Sequence, residues 1–283
     1  VTYVALAAII MVVAADLTGI GKRYLNDSKW QNKKPTEVRA TAADNEILKD
    51  KDLGYRVFDV DHNGSATAAY FHRSVDGYHG AKLGRYQDVI EHYIATQNGA
   101  VLAMLNTRYI IEGGEVMRLE EAFGIEPLGA AWFVEGVYSQ PTATKELEAL
   151  GYVDLATKAV VAEDIANLKP SYDATGTITL TEYAPNYLKY EYEAPAEALC
   201  VFSEIYFPEG WSAYIDGVES DYYAADYVLR LMELPAGKHT VEWRFRAPKW
   251  GVATAITGIA SWLIIIGLVV IVAVQLRRKK VNP

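Results

Sequence analysis

The densest group of side chains that can do chemistry lies between Tyr70 and Gln87. This stretch combines aromatic rings, cations, imidazoles and glycines, a mixture that can hold a sugar or a phosphate through stacking and charged hydrogen bonds. The same residues also fit a loop that packs Tyr and His onto a core and leads into a helix, so both interpretations are open. The candidate ligand-binding residues in this stretch are His72, Arg73, Tyr78, His79, Lys82, Arg85 and Tyr86.

Tyrosine is concentrated in the second half of the chain, where ten of the 20 tyrosines lie between Tyr172 and Tyr227. Tyr is favoured in strands on a half-buried sheet, and its ring is also a good surface for stacking against a sugar. The strand explanation is the simpler one, because it needs no ligand. Trp211 and Tyr214 in this region complete the set of candidate ligand-binding residues.

No motif for catalysis or for a metal stands out. The segment Asp59–Gly64 has the oxygen ligands and the glycine of a calcium loop, but Tyr70 occupies the position where a carboxylate is required. A polar turn after a strand explains the same residues. His72, His79 and His92 are too widely spaced to indicate a metal. The sequence therefore predicts no metal, no cofactor and no catalytic residue in this segment.

The apolar residues of the 283-residue chain, 51% of the total, are concentrated at its two ends. The segment from Trp250 to Leu276 has 27 residues without a charge. As a helix it reaches about 40 Å, against about 30 Å of bilayer hydrocarbon, so residues 249–276 are predicted to cross a membrane. The four cations Arg277–Lys280 follow at once. Such a cluster stays in the cytoplasm, so residues 277–283 are predicted to be a cytoplasmic tail and residues 17–248 to be extracytoplasmic.

The charge distribution agrees with that orientation. Residues 1–248 carry 22 of the 27 Lys and Arg side chains and all 36 acidic ones, a net charge of −14. An acidic surface disfavours nucleic acid and anionic lipid as partners of the extracytoplasmic region.

The N-terminal apolar run, Val1–Ala15, is uncharged and ends at Asp16. Fifteen residues cover about 22 Å as a helix, which is too short for a full span. No basic region precedes the run, as a signal peptide would require. Residues 1–16 are therefore predicted to be the outer end of a transmembrane helix that begins upstream, which would make the chain a fragment of a larger membrane protein. A clipped signal peptide is the alternative.

Between the apolar ends the sequence predicts two extracytoplasmic domains. Residues 17–168 are predicted to form an α+β domain with a linker at 17–41. Its predicted elements are a helix at Ala42–Lys49, a strand at Tyr55–Val60, helices at Gly84–Ala95 and Ala100–Leu105, strands at Arg108–Ile111 and Ala131–Tyr138, a helix at Pro141–Leu150 and a strand at Lys158–Val161.

Residues 169–248 read as an all-β domain, because short strands follow one another with turn signals between them and no helical segment. This pattern predicts a β-sandwich or a jelly roll. The predicted strands are Thr177–Tyr183, Tyr187–Tyr192, Ala198–Ile205, Trp211–Ile215, Val228–Leu234 and Thr240–Phe245.

A set of short motifs along nearly the whole chain resembles the C-terminal part of the YfhO family of bacterial membrane proteins. Each motif is short, and the combination carries the resemblance. The motifs are Lys22–Asp27, Tyr55–Phe58, Tyr70–Ser74, Gly77–Lys82, Leu105–Tyr109, Gly129–Val134, Tyr183–Asn186, Phe202–Trp211 and Pro235–Thr240.

The resemblance implies a multi-spanning bacterial membrane protein similar to GT-C glycosyltransferases. Such a protein would add sugars to a cell-envelope polymer from a lipid-linked donor. It implies the bilayer, upstream helices of the same protein, a lipid-linked sugar and an envelope glycan as partners. In GT-C enzymes the catalytic acid lies in an early outer loop, so the resemblance places no catalytic residue in this segment. The alternative is a non-catalytic, membrane-anchored glycan-binding or envelope-assembly protein.

Overall fold

The computed structural model describes residues 2–24, 38–162, 165 and 168–281, without the side chains of residues 2, 3, 275, 276 and 278–281. The chain divides into two compact units, Val1–Arg39 and Ala40–Pro283. Most of the predicted linker, residues 25–37, lies outside the described part, as does part of the motif Lys22–Asp27.

The first unit contains helix α1, Thr2–Tyr24, which is longer than predicted. The helix continues through Asp16, because one exposed charge does not interrupt the backbone hydrogen bonds of a helix. The hydroxyl of Thr18 is also satisfied within the helix, donating to the carbonyl of Ala14 at 2.6 Å. The 21 residues Val4–Tyr24 are long and apolar enough to cross a membrane, so this segment is not limited to a partial span.

The second unit contains six helices among its described residues, five of them short. They are α2 Ala42–Ile47, α3 Gly84–Val89, α4 Gly99–Met104, α5 Leu119–Phe123, α6 Ala143–Ala149 and α7 Trp250–Val281. The predicted helix Gly84–Ala95 continues beyond α3 as a π-helical segment, Ile90–Ile94. Helix α6 is preceded by Thr142, whose side chain accepts from the backbone amide of Lys145 and caps the helix.

Helix α7 is the longest element. Its segment Trp250–Val274 is long and apolar enough to cross a membrane, and none of it is buried within the protein. An apolar surface of this length exposed on every side is stable in lipid rather than in water.

The described strands form four sheets. They are β1 Arg56–Asp59, β2 Thr107–Glu112, β3 Glu115–Arg118, β4 Ala131–Val134, β5 Gly136–Gln140, β6 Lys158–Ala162, β7 Thr177–Ala184, β8 Tyr187–Ala194, β9 Ala198–Phe202, β10 Trp211–Ile215, β11 Val218–Ser220, β12 Tyr223–Ala225, β13 Leu229–Leu234 and β14 Gly237–Phe245. The two larger sheets are antiparallel, with strand orders β11-β10-β14-β8-β7 and β12-β13-β9-β4. The other two have the orders β1-β2-β3 and β5-β6, with β1 parallel to β2 and β5 parallel to β6.

The four-stranded sheet lies between two hydrophobic clusters. Along β9 every residue is buried, and successive side chains enter different clusters. Leu199 and Val201 pack with the helices and with β5 and β6. Cys200 and Phe202 pack against the five-stranded sheet. A strand covered on both faces is expected to be apolar throughout, as this one is.

The pairing of β4 with β9 crosses the predicted domain boundary at residue 168/169. The predicted strand Ala131–Tyr138 is in fact two strands that belong to different sheets. The chain divides at Glu135, whose amide donates to the carbonyl of Thr157 at 2.8 Å. As a result β4 joins the four-stranded sheet, while β5 pairs with β6.

A buried carboxyl lies at the end of β12. Asp226 is fully buried, and one of its oxygens accepts from the amide of Val160 at 2.8 Å. None of the described residues supplies a partner for its other oxygen, Oδ2. Burial raises the pKa of Asp226 to about 7. Its backbone has φ +47°, a left-handed conformation that Asp and Asn tolerate better than other non-glycine residues.

Asp226→Asn is expected to stabilise the protein increasingly as the pH rises. An acid whose folded pKa is raised keeps its proton in the folded state while the unfolded chain has lost it, so wild-type stability falls between about pH 4 and about pH 7. Asn keeps the bond to Val160 and has no proton to lose. The stability difference between the two proteins should grow to about 4 kcal/mol by about pH 7 and then level off.

Urea unfolding followed by tryptophan fluorescence across this pH range measures the difference. Glu126→Gln, which removes an exposed carboxylate, is the control and should leave the pH profile unchanged. A stability difference that does not vary with pH would contradict the raised pKa.

Candidate functional site

The segment Tyr70–Gln87, here called the histidine loop, is held along the edge of β1. The amide of Val57 donates to the carbonyl of Arg73 at 2.9 Å, and the amide of Val75 donates to the carbonyl of Val57 at 3.1 Å. These bonds give part of the loop the regularity of a strand, and they orient the side chains on either side of it.

The side chains of His72 and Arg73 face structural partners. The ring of His72 is almost fully buried, with Nε2 2.8 Å from a carboxylate oxygen of Asp44. The guanidinium of Arg73 lies 3.7 Å from the centre of the Tyr183 ring. Arg73 therefore connects the histidine loop to β7.

Lys82, Arg85 and Tyr86 are also used within the fold. The ammonium of Lys82 donates to the carbonyl of Gly77 at 2.8 Å, and the hydroxyl of Tyr86 donates to the carbonyl of Val75. Burial raises the pKa of Tyr86 to about 12. The guanidinium of Arg85 bonds a carboxylate oxygen of Glu146 at 3.0 Å.

Three of the seven candidates in the histidine loop are exposed, and one of them, Arg85, is paired with Glu146. Tyr78 is 76% exposed, and His79 is exposed with its ring bonded only to the nearby amide of Ala81. The structure therefore brings the seven residues into one region but directs most of their polar groups to internal partners.

Trp211 and Tyr214 lie on opposite faces of β10. Trp211 shares its face with Ala213, which is buried in the core, whereas Tyr214 lies on the other face beneath the guanidinium of Arg244, 4.3 Å from the ring centre. The two aromatic residues therefore do not form one site.

Trp211 lines a pocket of about 270 Å³ that the sequence prediction only partly identified. We call it the aromatic pocket, because the rings of Tyr206, Trp211 and Tyr222 lie around it. The rings of Tyr206 and Tyr222 meet edge to face at 5.6 Å. The full set of lining residues is Tyr206, Pro208, Trp211, Ser212, Ala213, Glu219, Ser220, Asp221 and Tyr222.

The aromatic pocket lies where β11 ends. The last residue of β11, Ser220, pairs with Ala213 on β10, so β11 does not reach Trp211. The hydroxyl of Tyr222 instead donates to the carbonyl of Trp211 at 3.1 Å. A tyrosine side chain thus replaces the missing strand partner and forms a wall of the pocket.

The edge of the aromatic pocket is acidic. Glu219 and Asp221 are exposed, and neither carboxylate has a hydrogen bond or ion pair with another described residue. Behind Trp211 lies Arg230, which is 2% exposed. Its guanidinium is 4.4 Å from the Trp211 ring centre and 4.7 Å from that of Trp243.

The aromatic pocket is close to the start of α7. The amide of Arg246 donates to the carbonyl of Gly210 at 2.8 Å, next to Trp211. Gly210 has φ +114°, and a Cβ there would lie 2.7 Å from the carbonyl oxygen of Arg246, so glycine is required for this contact. Helix α7 begins at Trp250, and the intervening chain spans at most about 14 Å.

A hairpin signal could have identified the pairing of the pocket's aromatic residues. Asp216 and Gly217 both have positive φ, as a two-residue hairpin turn requires. Counting outward from that turn places Trp211 opposite Tyr222. Nothing local in the sequence indicates that β11 ends after three residues, which is why Glu219, Asp221 and Tyr222 were missed.

The Asp59–Gly64 segment folds as a polar turn in which both carboxylates have internal partners. Asp59 accepts from the amide and the ring of His62, and Asp61 accepts from the amides of Gly113 and Gly114, each at 2.8 Å. These two backbone bonds lower the pKa of Asp61. Within the described part of the chain, no group of three or more His, Cys, Asp or Glu side chains is placed to hold a metal ion.

No protein-family model, curated protein or solved structure significantly matches this chain. The resemblance to the YfhO family therefore rests on the sequence motifs alone.

Arg85→Ala is expected to destabilise the fold by about 1–2 kcal/mol. The substitution leaves the carboxylate of Glu146, whose side chain is 5% exposed, without its charged partner. The loss is smaller than the about 3–5 kcal/mol typical of a fully buried pair, because half of the Arg85 side chain is exposed. Chemical denaturation measures the change in the free energy of unfolding.

The double variant Arg85→Ala/Glu146→Gln is the matched control, and it should recover part of the lost stability. Equal destabilisation of the single and double variants would show that Arg85 acts by packing rather than by pairing with Glu146.

Proposed function

We propose that this chain is the membrane-anchored, extracytoplasmic part of a multi-spanning envelope protein similar to the YfhO family. In this proposal the whole protein transfers sugar from a lipid-linked donor to a cell-envelope polymer, and the catalytic residues lie upstream of the segment. The part played by this segment is to bind a sugar residue close to the bilayer. The observation that carries the proposal is the aromatic pocket next to Gly210, whose carbonyl accepts from Arg246, four residues before α7.

The chemistry of the aromatic pocket supports sugar binding. Aromatic rings offer flat apolar faces to the C–H groups of a sugar, while carboxylates such as that of Asp221 accept hydrogen bonds from its hydroxyls. The volume is below the about 300–1,000 Å³ usual for drug-sized ligands, and it suits one ring rather than a long segment of polymer.

The location of the aromatic pocket supports a donor held at a membrane. If α7 spans the bilayer, its first residue, Trp250, lies near the interface, where tryptophan is favoured. The aromatic pocket is next to Gly210, which is hydrogen-bonded to Arg246. It then lies within the length of about one or two sugar units from the lipid headgroups. A sugar carried on a lipid would reach this position without leaving the membrane surface.

The orientation in this proposal follows from the charges beyond α7. The basic cluster Arg277–Lys280 stays in the cytoplasm, so residues 17–248 lie outside. The two large antiparallel sheets, which share a hydrophobic cluster, would then form the two layers of an extracytoplasmic β-sandwich. Upstream helices of the same protein would pack around α7.

A second candidate keeps the aromatic pocket and omits the transfer. In that case the protein is a non-catalytic glycan-binding or envelope-assembly component anchored by its helices. The aromatic pocket supports this candidate as well, because stacking rings bind a sugar without any catalytic group.

Trp211→Ala is expected to reduce sugar binding by the full chain in lipid nanodiscs at least tenfold, because it removes a stacking wall of the aromatic pocket. A glycan array followed by calorimetry measures the loss. Tyr78→Ala removes an exposed aromatic ring from the histidine loop and should leave binding unchanged. Thermal unfolding of both variants checks that each remains folded.

Unchanged binding in the folded Trp211→Ala variant would contradict the assignment of the aromatic pocket. Sugar transfer by the full-length protein from a purified lipid-linked donor separates the two candidates. Turnover supports the transferase, and binding without turnover supports the anchored binder.

The orientation is tested by labelling a single cysteine on intact cells. Val218→Cys, at a position 70% exposed, is combined with Cys200→Ala, which removes the buried native thiol. A maleimide that cannot cross membranes is expected to label Val218→Cys without cell lysis. Protection until lysis would contradict the proposed orientation, and a cysteine added after Lys280 should show the opposite behaviour.

A further inference from the structure

The ring of His239, near the start of β14, bridges two turns at one end of the five-stranded sheet. Its Nδ1 lies 2.6 Å from a carboxylate oxygen of Asp216, in the turn Asp216–Gly217 between β10 and β11. Its Nε2 lies 3.1 Å from the carbonyl oxygen of Ala236, in the turn Pro235–Ala236 between β13 and β14. We call these the β10–β11 turn and the β13–β14 turn.

Both partners of the His239 ring are hydrogen-bond acceptors. A backbone carbonyl has no hydrogen to donate, and neither has an ionised carboxylate. A neutral imidazole carries one N–H group, whereas an imidazolium carries two. The bonds to Asp216 and to Ala236 can therefore exist together only when the ring is protonated on both nitrogens.

The other contacts of Asp216 keep its carboxyl ionised. Its second oxygen accepts from the amide of Thr240 at 2.9 Å and from the hydroxyl of Thr240 at 3.1 Å. The bond from His239 and those from Thr240 lower the pKa of Asp216. Conversely, the bonds to Asp216 and to the carbonyl of Ala236 raise the pKa of His239. Both directions agree with the charges that the geometry requires.

The surroundings of His239 also favour its charged form. The ring borders a surface pocket of about 570 Å³, to which β8 contributes Glu191 and Glu193, β14 contributes Lys238, and β7 contributes threonines. The ammonium of Lys238 lies 3.0 Å from a carboxylate oxygen of Glu193. With Asp216, three carboxylates and one ammonium therefore border this pocket. The ring of Tyr192 on β8, whose centre is 5.6 Å away, adds a contact that attracts a cation.

The backbone at Gly237 makes room for the ring. Gly237 has φ +121°, and a Cβ there would lie 2.9 Å from Nε2 of His239. Glycine therefore lets the ring approach the carbonyl of Ala236. The side chain of His239 is 27% exposed, so its protonation can follow the pH of the solvent.

We propose that His239 is a pH-sensitive clamp, which joins the β10–β11 turn to the β13–β14 turn while its ring is protonated and releases the carbonyl of Ala236 when the ring loses a proton. The neutral ring keeps its bond to Asp216, because a charged acceptor binds an N–H group more strongly than a neutral one. The lone pair of Nε2 then faces the carbonyl oxygen of Ala236, and their repulsion loosens the β13–β14 turn. The clamp does not depend on sugar binding by the aromatic pocket.

Nitrogen NMR of the full chain, labelled with ¹⁵N-histidine and held in phosphatidylcholine nanodiscs, tests the protonation of the ring between pH 5.5 and pH 9. The signals lost in His239→Gln identify His239. Both ring nitrogens are expected to remain protonated above the ordinary pKa of 6.5. Asp216→Asn keeps an oxygen for Thr240 but removes the charge, and it should move the titration of His239 to lower pH. A ring with one N–H at pH 6, or a titration that Asp216→Asn does not move, would overturn the clamp.

The stability of His239→Gln tests the consequence for the fold. Because the pKa of His239 is raised in the folded state, the stabilisation by its ring is fully present below about pH 6.5 and is lost as the pH rises through the folded pKa. In urea unfolding, the loss of stability caused by His239→Gln should therefore be largest near pH 6 and should shrink by pH 9. Wild type and variant both contain Asp226, so its own pH dependence cancels from the difference.

Lys238→Gln is the matched control. It removes a neighbouring cation that pairs with Glu193 and bonds neither turn. It should change stability by the same amount at pH 6 and at pH 9. An equally constant effect of His239→Gln would show that the ring acts by packing alone, and it would overturn the clamp even if the ring were protonated.

Discussion

The burial of one sheet on both of its faces is the constraint on which the second unit depends. Strand β9 is covered by helices on one side and by the five-stranded sheet on the other. Its neighbour β13 behaves in the same way, with Leu231 in one cluster and Met232 in the other. Because each strand contributes to two cores at once, the two cores share this sheet. The α+β part and the β-rich part therefore belong to one compact unit.

Polar contacts at the end of β9 strengthen this connection. Arg56 at the start of β1 donates to the side chain and the carbonyl of Ser203, at 2.9 and 2.6 Å, and Ser203 in turn donates to the carbonyl of Met104 at 2.7 Å. Glu204 lies 3.4 Å from the guanidinium of Arg56. These partly buried hydrogen bonds connect three regions of the chain, namely the start of β1, the end of α4 and the segment after β9.

The sequence indicates the local elements well and the long-range pairing poorly. The alternation of buried and exposed residues along β8 and the uncharged length of α7 can each be recognised within a short window, and both were predicted. The pairing of Ala131 with Phe202 joins positions far apart in the chain, and no local pattern specifies it. The strands β11 and β12 were missed because three residues are too few for alternation to be visible, and β3 shows no alternation of buried and exposed residues. For the same reason only Trp211 of the aromatic pocket was identified.

The histidine loop shows why residue types alone misdirect a search for a site. Imidazole, guanidinium and phenol groups bind ligands, but the same groups also satisfy the backbone of an irregular loop. A segment with little regular structure must find partners for its carbonyls, and Lys82 and Tyr86 supply two of them. A chemically rich loop therefore predicts internal bonding as strongly as it predicts ligand binding.

The aromatic pocket and the protection of a sheet edge have a single cause. An edge strand exposes unpaired backbone groups that can join another chain, and proteins shorten or cover such edges. Here β11 ends at Ser220. The carbonyl of Trp211, which a longer β11 would have hydrogen-bonded, instead accepts from the hydroxyl of Tyr222. The ring of Tyr222, which covers this edge, also forms a wall of the aromatic pocket. A longer β11 would remove the pocket, whereas loss of Tyr222 would expose the edge, so binding and solubility constrain the same few residues.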